Sequence, residues 1–184
     1  MDSIQREEMP FQLKQLLPTK TISMENCISG SKAMKEGMKV IEPLLKSSAR
    51  GNQRNRIVMG TVRGDLHDIG KNLFCALLEG AGFEVIDLGV DVAPEKFIDS
   101  LRTHDAKILG MSALITTTMS EMANTITKVK DAGIRSSTKI ILGGAPVTED
   151  YGKSIEADAA TNDAIRGIDI CKVWTKKQDG SITG

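Results

Sequence analysis

Residues 57–72 read Ile57-Val58-Met59-Gly60-Thr61-Val62-Arg63-Gly64-Asp65-Leu66-His67-Asp68-Ile69-Gly70-Lys71-Asn72. The short apolar run 57–62 predicts a strand, and helical spacing begins near Lys71, so Gly64 to Asn72 reads as the loop that leaves a strand and enters a helix. In an open α/β sheet, ligands bind at that place. One of the chain's 2 histidines lies in this loop, with a carboxylate on each side.

Downstream, the same alternation repeats. Strands are predicted over 57–62, 83–88, 107–112 and 138–143, with a short one at 156–160, and helices over 70–81, 94–103, 118–132, 148–155 and 162–175. Gly80 and Gly82 close the first helix, Pro94 opens the second and Gly133 ends the third. Short strands separated by helices predict a flavodoxin-like (Rossmann-like), doubly wound α/β fold with a five-stranded parallel sheet. Its expected order is 2-1-3-4-5.

Upstream, Met9, Leu13, Leu16 and Leu17 share a helical face that Pro10 shortens or bends and Pro18 ends. A stronger helix is predicted from about Ser23 to Leu45, with Met24, Cys27, Ile28, Met34, Met38 and Ile41 at three- and four-residue steps. The expected organisation is a partial helical cap over 1–46, a linker over 47–56, an α/β domain over 57–177 and a loose tail over 178–184.

Composition narrows the function classes. The 184 residues are 40% hydrophobic and 26% charged, which suits a packed domain. Lys plus Arg (24) balances Asp plus Glu (24), so general attraction to nucleic acid or to an anionic membrane is not expected. No apolar run approaches the ~18 residues of a membrane span, and Met1-Asp2-Ser3 leads straight into a charged segment unlike a signal peptide, so the expected compartment is cytoplasmic. Cys27, Cys75 and Cys171 fit neither a disulfide framework nor a zinc site and are expected as reduced, mostly buried thiols. Aromatic residues at 3% do not supply a platform for stacking bases.

With that strand order, the switch point lies between strands 1 and 3, and three clusters fall on one rim. Strand 1 delivers Asp65 and His67, strand 3 delivers Ser112 through Thr118, and strand 4 delivers Gly143-Gly144-Ala145-Pro146. His67 can offer a ring nitrogen to a metal or exchange protons near neutral pH. Asp65, two residues earlier, can accept the other ring N–H. The double glycine serves either as a turn or as a close approach for something bulky, and the hydroxyls of Thr116 to Thr118 either donate to a ligand or cap the next helix. Asp68 and Lys71 read as a cap neighbour and a solvated charge at the helix start. A metal site built from protein ligands alone is disfavoured, because His104 is predicted on the opposite rim. A metal here would arrive inside a cofactor.

Asp65-x-His67-x-x-Gly70, then Ser112-x-Leu114, then Gly143-Gly144 resembles the cobalamin-binding signature, with residues 71–111 and 115–142 as intervals that fit the family's pattern. The wording Gly64-Asp65-x-His67-Asp68-Ile69-Gly70-Lys71-Asn72 resembles its methyl-transfer branch: the cobalamin module of methionine synthase and the small corrinoid proteins of methanol, methylamine, betaine and methoxy-aromatic systems. The resemblance covers about residues 7–175. It implies cobalamin (methylcobalamin, cob(I)alamin or a related corrinoid) with its benzimidazole tail off the cobalt and in a slot between strands, and with His67 as lower axial ligand in its place. It further implies that Asp65 is the hydrogen-bond partner of His67 and that Thr118 completes the relay where the methionine synthase relative has a serine. Gly64, Leu66, Asp68, Ser112, Thr116 and Ala145 fall where that family contacts the corrin or its tail, and Gly70, Leu114, Gly143 and Gly144 where it gives the tail room. Met9 to Lys46 resembles the second half of the family's helical cap, and two such chains pairing their helices is an expected homodimer.

The function so implied is methyl carriage between a substrate-specific methyltransferase and a second methyltransferase that acts on a thiol or tetrahydrofolate, with a reductive activation protein as a further partner. The chain would then be a methyl-carrier subunit rather than a complete catalyst. Two rivals share the loop: the small subunit of an adenosylcobalamin-dependent mutase, and a cobalamin-dependent sensor. Asp68-Ile69-Gly70-Lys71-Asn72 with the cap remnant speaks against the first, and the absence of a basic recognition helix against the second.

Overall fold

Side-chain alternation along each strand decides how the domain is layered. In the computed structural model, which describes residues 55–178, the strands β1 (Arg56–Thr61), β2 (Glu84–Asp87), β3 (Ile108–Ser112), β4 (Lys139–Gly143) and β5 (Ala159–Ala160) form one sheet in the order β2-β1-β3-β4-β5. Every pairing is parallel. Between and after the strands run α1 (Ile69–Gly80), α2 (Pro94–Thr103), α3 (Met119–Asp131), α4 (Glu149–Ser154) and α5 (Ala164–Gln178). The flavodoxin-like fold and its strand order are those expected. The predicted cap, most of the linker, Cys27 and nearly all of the tail lie outside the described residues.

Val58, Leu109, Ile140 and Leu142 point to one face and pack with Phe97 and Leu101 of α2 and Met122 and Ile126 of α3, all buried. The alternate residues Ile57, Met59, Ile108 and Ile141 point to the other, against Cys75 and Leu78 of α1 and Ile168 and Cys171 of α5. Strands covered on both faces read as near-continuous apolar runs. Fully burying each such side chain contributes about 1.5–3 kcal/mol, enough in sum to hold the carboxyl-end loops on a fixed platform.

Differences from the predicted spans have local causes. The strand starts at Arg56, inside the expected linker, where Arg56 Nε pairs with Glu84 Oε2 at 2.8 Å. Only Ala159–Ala160 of the predicted strand 156–160 forms, because α4 ends in a turn that places Glu156 at φ 60 and bonds the Ala157 N–H to the Gly152 carbonyl. The last helix begins later than predicted because the Asp163 carboxylate caps the N–H groups of Ile165 and Arg166.

Candidate functional site

The loop after β1 is shaped from its backbone outward. Gly64 adopts φ 79, a left-handed conformation that suits glycine, and its N–H donates to the Asp91 carboxylate at 2.7 Å. Asp91 comes from the loop after β2 and returns its own N–H to the Asp65 carbonyl at 3.0 Å. The two loops are thereby zipped together before the chain reaches His67.

Asp65 is fully buried and accepts five hydrogen bonds. Oδ1 takes the His67 N–H at 3.0 Å and lies 2.8 Å from His67 Nδ1; Oδ2 takes the N–H groups of Leu114 at 2.8 Å and Ile115 at 3.3 Å, and the Thr118 hydroxyl at 2.9 Å. Burial by itself raises a carboxyl pKa. Here the bonds from the backbone of His67 and Leu114 and from the side chains of His67 and Thr118 outweigh it and hold Asp65 well below the usual carboxylate range. Thr118 has one proton for two acceptors, Asp65 Oδ2 and the Ile115 carbonyl at 2.8 Å.

An ionised carboxylate can only accept, so Nδ1 of His67 donates to it, and the tautomer that carries its one ring proton there presents a lone pair at Nε2. Nε2 has no hydrogen-bond partner among the described residues, and the side chain is 52% exposed. On the two loops that Asp65 joins, Leu66, Leu114 and Ile115 are exposed apolar side chains, an unusual grouping for a surface. A single outward nitrogen donor within apolar surroundings fits a large macrocycle whose metal needs one axial ligand. Among the described residues, no three His, Cys, Asp or Glu side chains converge as a metal site of their own. His104 caps α2, where its carbonyl accepts from Arg56 at the start of β1, on the opposite rim.

Beside this loop, Thr61, Ser112 and Gly143 are aligned by register across β1, β3 and β4. All three lie on the face that carries α1 and α5. One rung below, Met59 fills the space at Gly110, where a Cβ would meet its sulfur at 2.1 Å. The rung above is therefore bounded beneath by a side chain and lined by two hydroxyls and a glycine. A Cβ at Gly143 would find its nearest neighbour, the Thr161 carbonyl, at 3.5 Å, and one at Gly70 would meet open space. Gly144 is different. At φ 130 it brings its backbone against β3's loop, and a Cβ there would sit 1.9 Å from the Ala113 carbonyl oxygen.

The structure thus brings Asp65, His67, Leu114 and Thr118 into one bonded group, joins Ser112 to it through Thr61, and places Gly64, Leu66, Gly70, Thr116, Gly143, Gly144 and Ala145 on the same rim. Asp68 occupies the position that caps α1 but makes no side-chain cap bond. Lys71 departs from the expected solvated charge: its Nζ is buried and bonds Asp87 Oδ2 at 2.5 Å and Asn72 Oδ1 at 2.7 Å, tying α1 to the end of β2. The Lys71 side chain is buried and its partner carboxylate only partly so, a pairing across elements that a helix-start pattern along the chain does not express. Sequence reading missed Thr61, whose hydroxyl bonds the His67 carbonyl at 2.9 Å and Ser112 Oγ at 2.8 Å. The available signal was a hydroxyl residue within an apolar strand.

Comparison with known proteins agrees with this geometry. Residues 55–168 match the B12 binding domain family. The chain is 36% identical over 157 residues to trimethylamine corrinoid protein 2 of Methanosarcina acetivorans, covering 85% of this chain and 72% of that protein. Among solved structures, it is similar to the monomethylamine corrinoid protein of Methanosarcina barkeri, at 31% identity and TM-score 0.70 over 84% of this chain and 71% of that one. It is also similar to a chain of the methanol:cobalamin methyltransferase complex of the same organism, at 28% identity and TM-score 0.65, spanning 84% of this chain but 58% of that chain. No helix among the described residues is long and apolar enough to cross a membrane. With its signature loop, its sheet order and these matches in agreement, the chain belongs to the B12-binding family and binds cobalamin or a related corrinoid.

Proposed function

We propose that this protein is a methyl carrier that holds its corrinoid with the tail off the cobalt and with His67 Nε2 as lower axial ligand. The observation that carries the reading is the His67 ring, fixed through Nδ1 by a buried carboxylate at 2.8 Å while its other nitrogen stays open among exposed leucine and isoleucine side chains. A bound corrinoid would supply a cobalt centre that accepts and releases a methyl group; the chain would supply the residues that hold it.

Asp65 acts as the orienting acceptor. Its negative charge strengthens Nε2 as a donor and fixes the tautomer that has a lone pair there. The same contact would hold the ring by its Nδ1–H whether or not Nε2 is engaged. The Thr118 hydroxyl can donate to Asp65 or turn to the Ile115 carbonyl, which makes the hold on Asp65 adjustable. Leu66, Leu114 and Ile115 exclude water from the lower face, and the Thr61–Ser112–Gly143 rung is proposed as the tail's slot, with Gly70, Gly143 and Gly144 sparing it side chains. Gly64, Asp68, Thr116 and Ala145 would border the corrin and its tail.

The proposed partners are a substrate-specific methyltransferase and a second methyltransferase acting on a thiol or tetrahydrofolate, with a reductive activation protein restoring the cobalt. The similar chain in the methanol:cobalamin methyltransferase complex supports docking to the first of these. Loading the protein with methylcobalamin tests the reading. Wild type is expected to show an absorption spectrum of a histidine-ligated corrinoid, and His67→Gly to bind through the tail yet lose that spectrum. An unchanged spectrum in His67→Gly refutes the ligand assignment.

A further inference from the structure

Thr61 ends β1 and is fully buried. Its backbone is committed on the β2 side: the N–H donates to the Gly89 carbonyl at 2.9 Å, and the carbonyl accepts from Val92 N–H at 3.0 Å. The residue therefore cannot drift, and its hydroxyl projects from a fixed point. That hydroxyl touches the His67 carbonyl at 2.9 Å and Ser112 Oγ at 2.8 Å.

The direction of this chain follows from counting protons. A carbonyl only accepts and a threonine has a single O–H, so the Thr61 proton is on the bond to His67, and Ser112 must donate to Thr61. On its other flank, His67 gives its N–H and its Nδ1–H to Asp65. His67 is thus held at its amide, at its ring and at its carbonyl, and only the last of these comes from the sheet itself.

We propose that Thr61 is a positioning residue for His67: through its hydroxyl it locks the His67 carbonyl and so sets the direction in which Nε2 points. The proposal rests on the reading of His67 as axial ligand, but the hydrogen bond itself can be examined without cofactor. Valine has the shape of threonine without the hydroxyl, and serine keeps the hydroxyl without the methyl group, so this pair of variants separates hydrogen bonding from packing.

The experiment compares wild type, Thr61→Val and Thr61→Ser, each carrying His104→Gln so that a single histidine is labelled with nitrogen-15. In the cofactor-free proteins at alkaline pH, where the tautomer is read on the singly protonated ring, wild type and Thr61→Ser are expected to show the ring proton on Nδ1 alone and slow exchange of the His67 amide. Thr61→Val should show mixed tautomers and faster amide exchange. After loading with methylcobalamin, Thr61→Val should lose about tenfold in the constant for histidine ligation, read from the absorption spectrum, with Thr61→Ser close to wild type. A Thr61→Val protein with wild-type tautomer and exchange overturns the proposal, as does Thr61→Ser impaired as severely as Thr61→Val. If Thr61→Val does not fold, Ser112→Ala carries the test: removing the donor to Thr61 should shift tautomer and exchange in the same direction by less, and no shift overturns it. Should His67→Gly leave the loaded spectrum unchanged, the ligand reading falls, and the cofactor-free comparison still decides whether Thr61 positions His67.

Discussion

Two loops on the same rim are held in opposite ways. The loop after β1 depends on atoms that are present: Asp65 gathers five hydrogen bonds, and removing its carboxylate would orphan donors from two strands' loops. The loop after β4 depends on atoms that are missing: Gly144 presses against the Ala113 carbonyl, with no room for even a methyl group. The first arrangement orients a chemical group. The second brings backbone to backbone so that the rim stays closed beneath it.

Substitutions that add atoms to one loop and remove them from the other put that contrast to the test. The largest effect is expected from Gly144→Ala, which combines a 1.9 Å approach to Ala113 with a φ of 130. A loss of about 4 kcal/mol or more in denaturant unfolding is expected. A loss under about 1 kcal/mol would mean that the two loops do not depend on this contact.

Next comes Asp65→Asn, which turns an amide donor toward donors and is expected to cost about 2–4 kcal/mol. Its pH dependence is diagnostic. The folded-state pKa of Asp65 lies below its ordinary value of 3.8, so the stabilisation is present above that pH and is lost as pH falls below it. Wild type should therefore show an acid limb below about pH 4 that Asp65→Asn flattens. The same limb in both proteins would show that other carboxylates produce it.

The smallest effects on folding are expected at Gly143 and Gly70, where a Cβ meets only the Thr161 carbonyl at 3.5 Å or open space. Alanine at either site should change stability by less than about 1 kcal/mol, with Gly70→Ala leaning toward stabilisation of α1. Corrinoid affinity should nevertheless fall in Gly143→Ala if the rung it shares with Thr61 and Ser112 receives the tail. Unaltered affinity would move the slot elsewhere.

The frame of this molecule is legible because its signals are local. Pro94 at the start of α2, Gly133 after α3 and the apolar runs of β1, β3 and β4 announce themselves within a few residues, and the alternation of strand and helix implies a parallel sheet, which takes the flavodoxin-like order. Asp65 and His67 were legible for the same reason, being two residues apart on one loop. What escaped depends on distant pairings. Lys71, on α1, finds its partner 16 residues away at the end of β2, and Thr61 meets Ser112 across 51 residues through sheet register, which no periodicity along the chain expresses. The two buried thiols, Cys75 and Cys171, were expected as such, and burial pushes both up to about 12, far from reactivity at neutral pH.

Electron paramagnetic resonance of the protein loaded with cobalamin in its cobalt(II) state tests the central claim most directly. Protein labelled with nitrogen-15 only in histidine should convert the axial-nitrogen triplet splitting into a doublet, because the lower ligand is His67 Nε2. A triplet that survives the labelling would show that the cofactor's own benzimidazole remains on the cobalt, and would contradict the account.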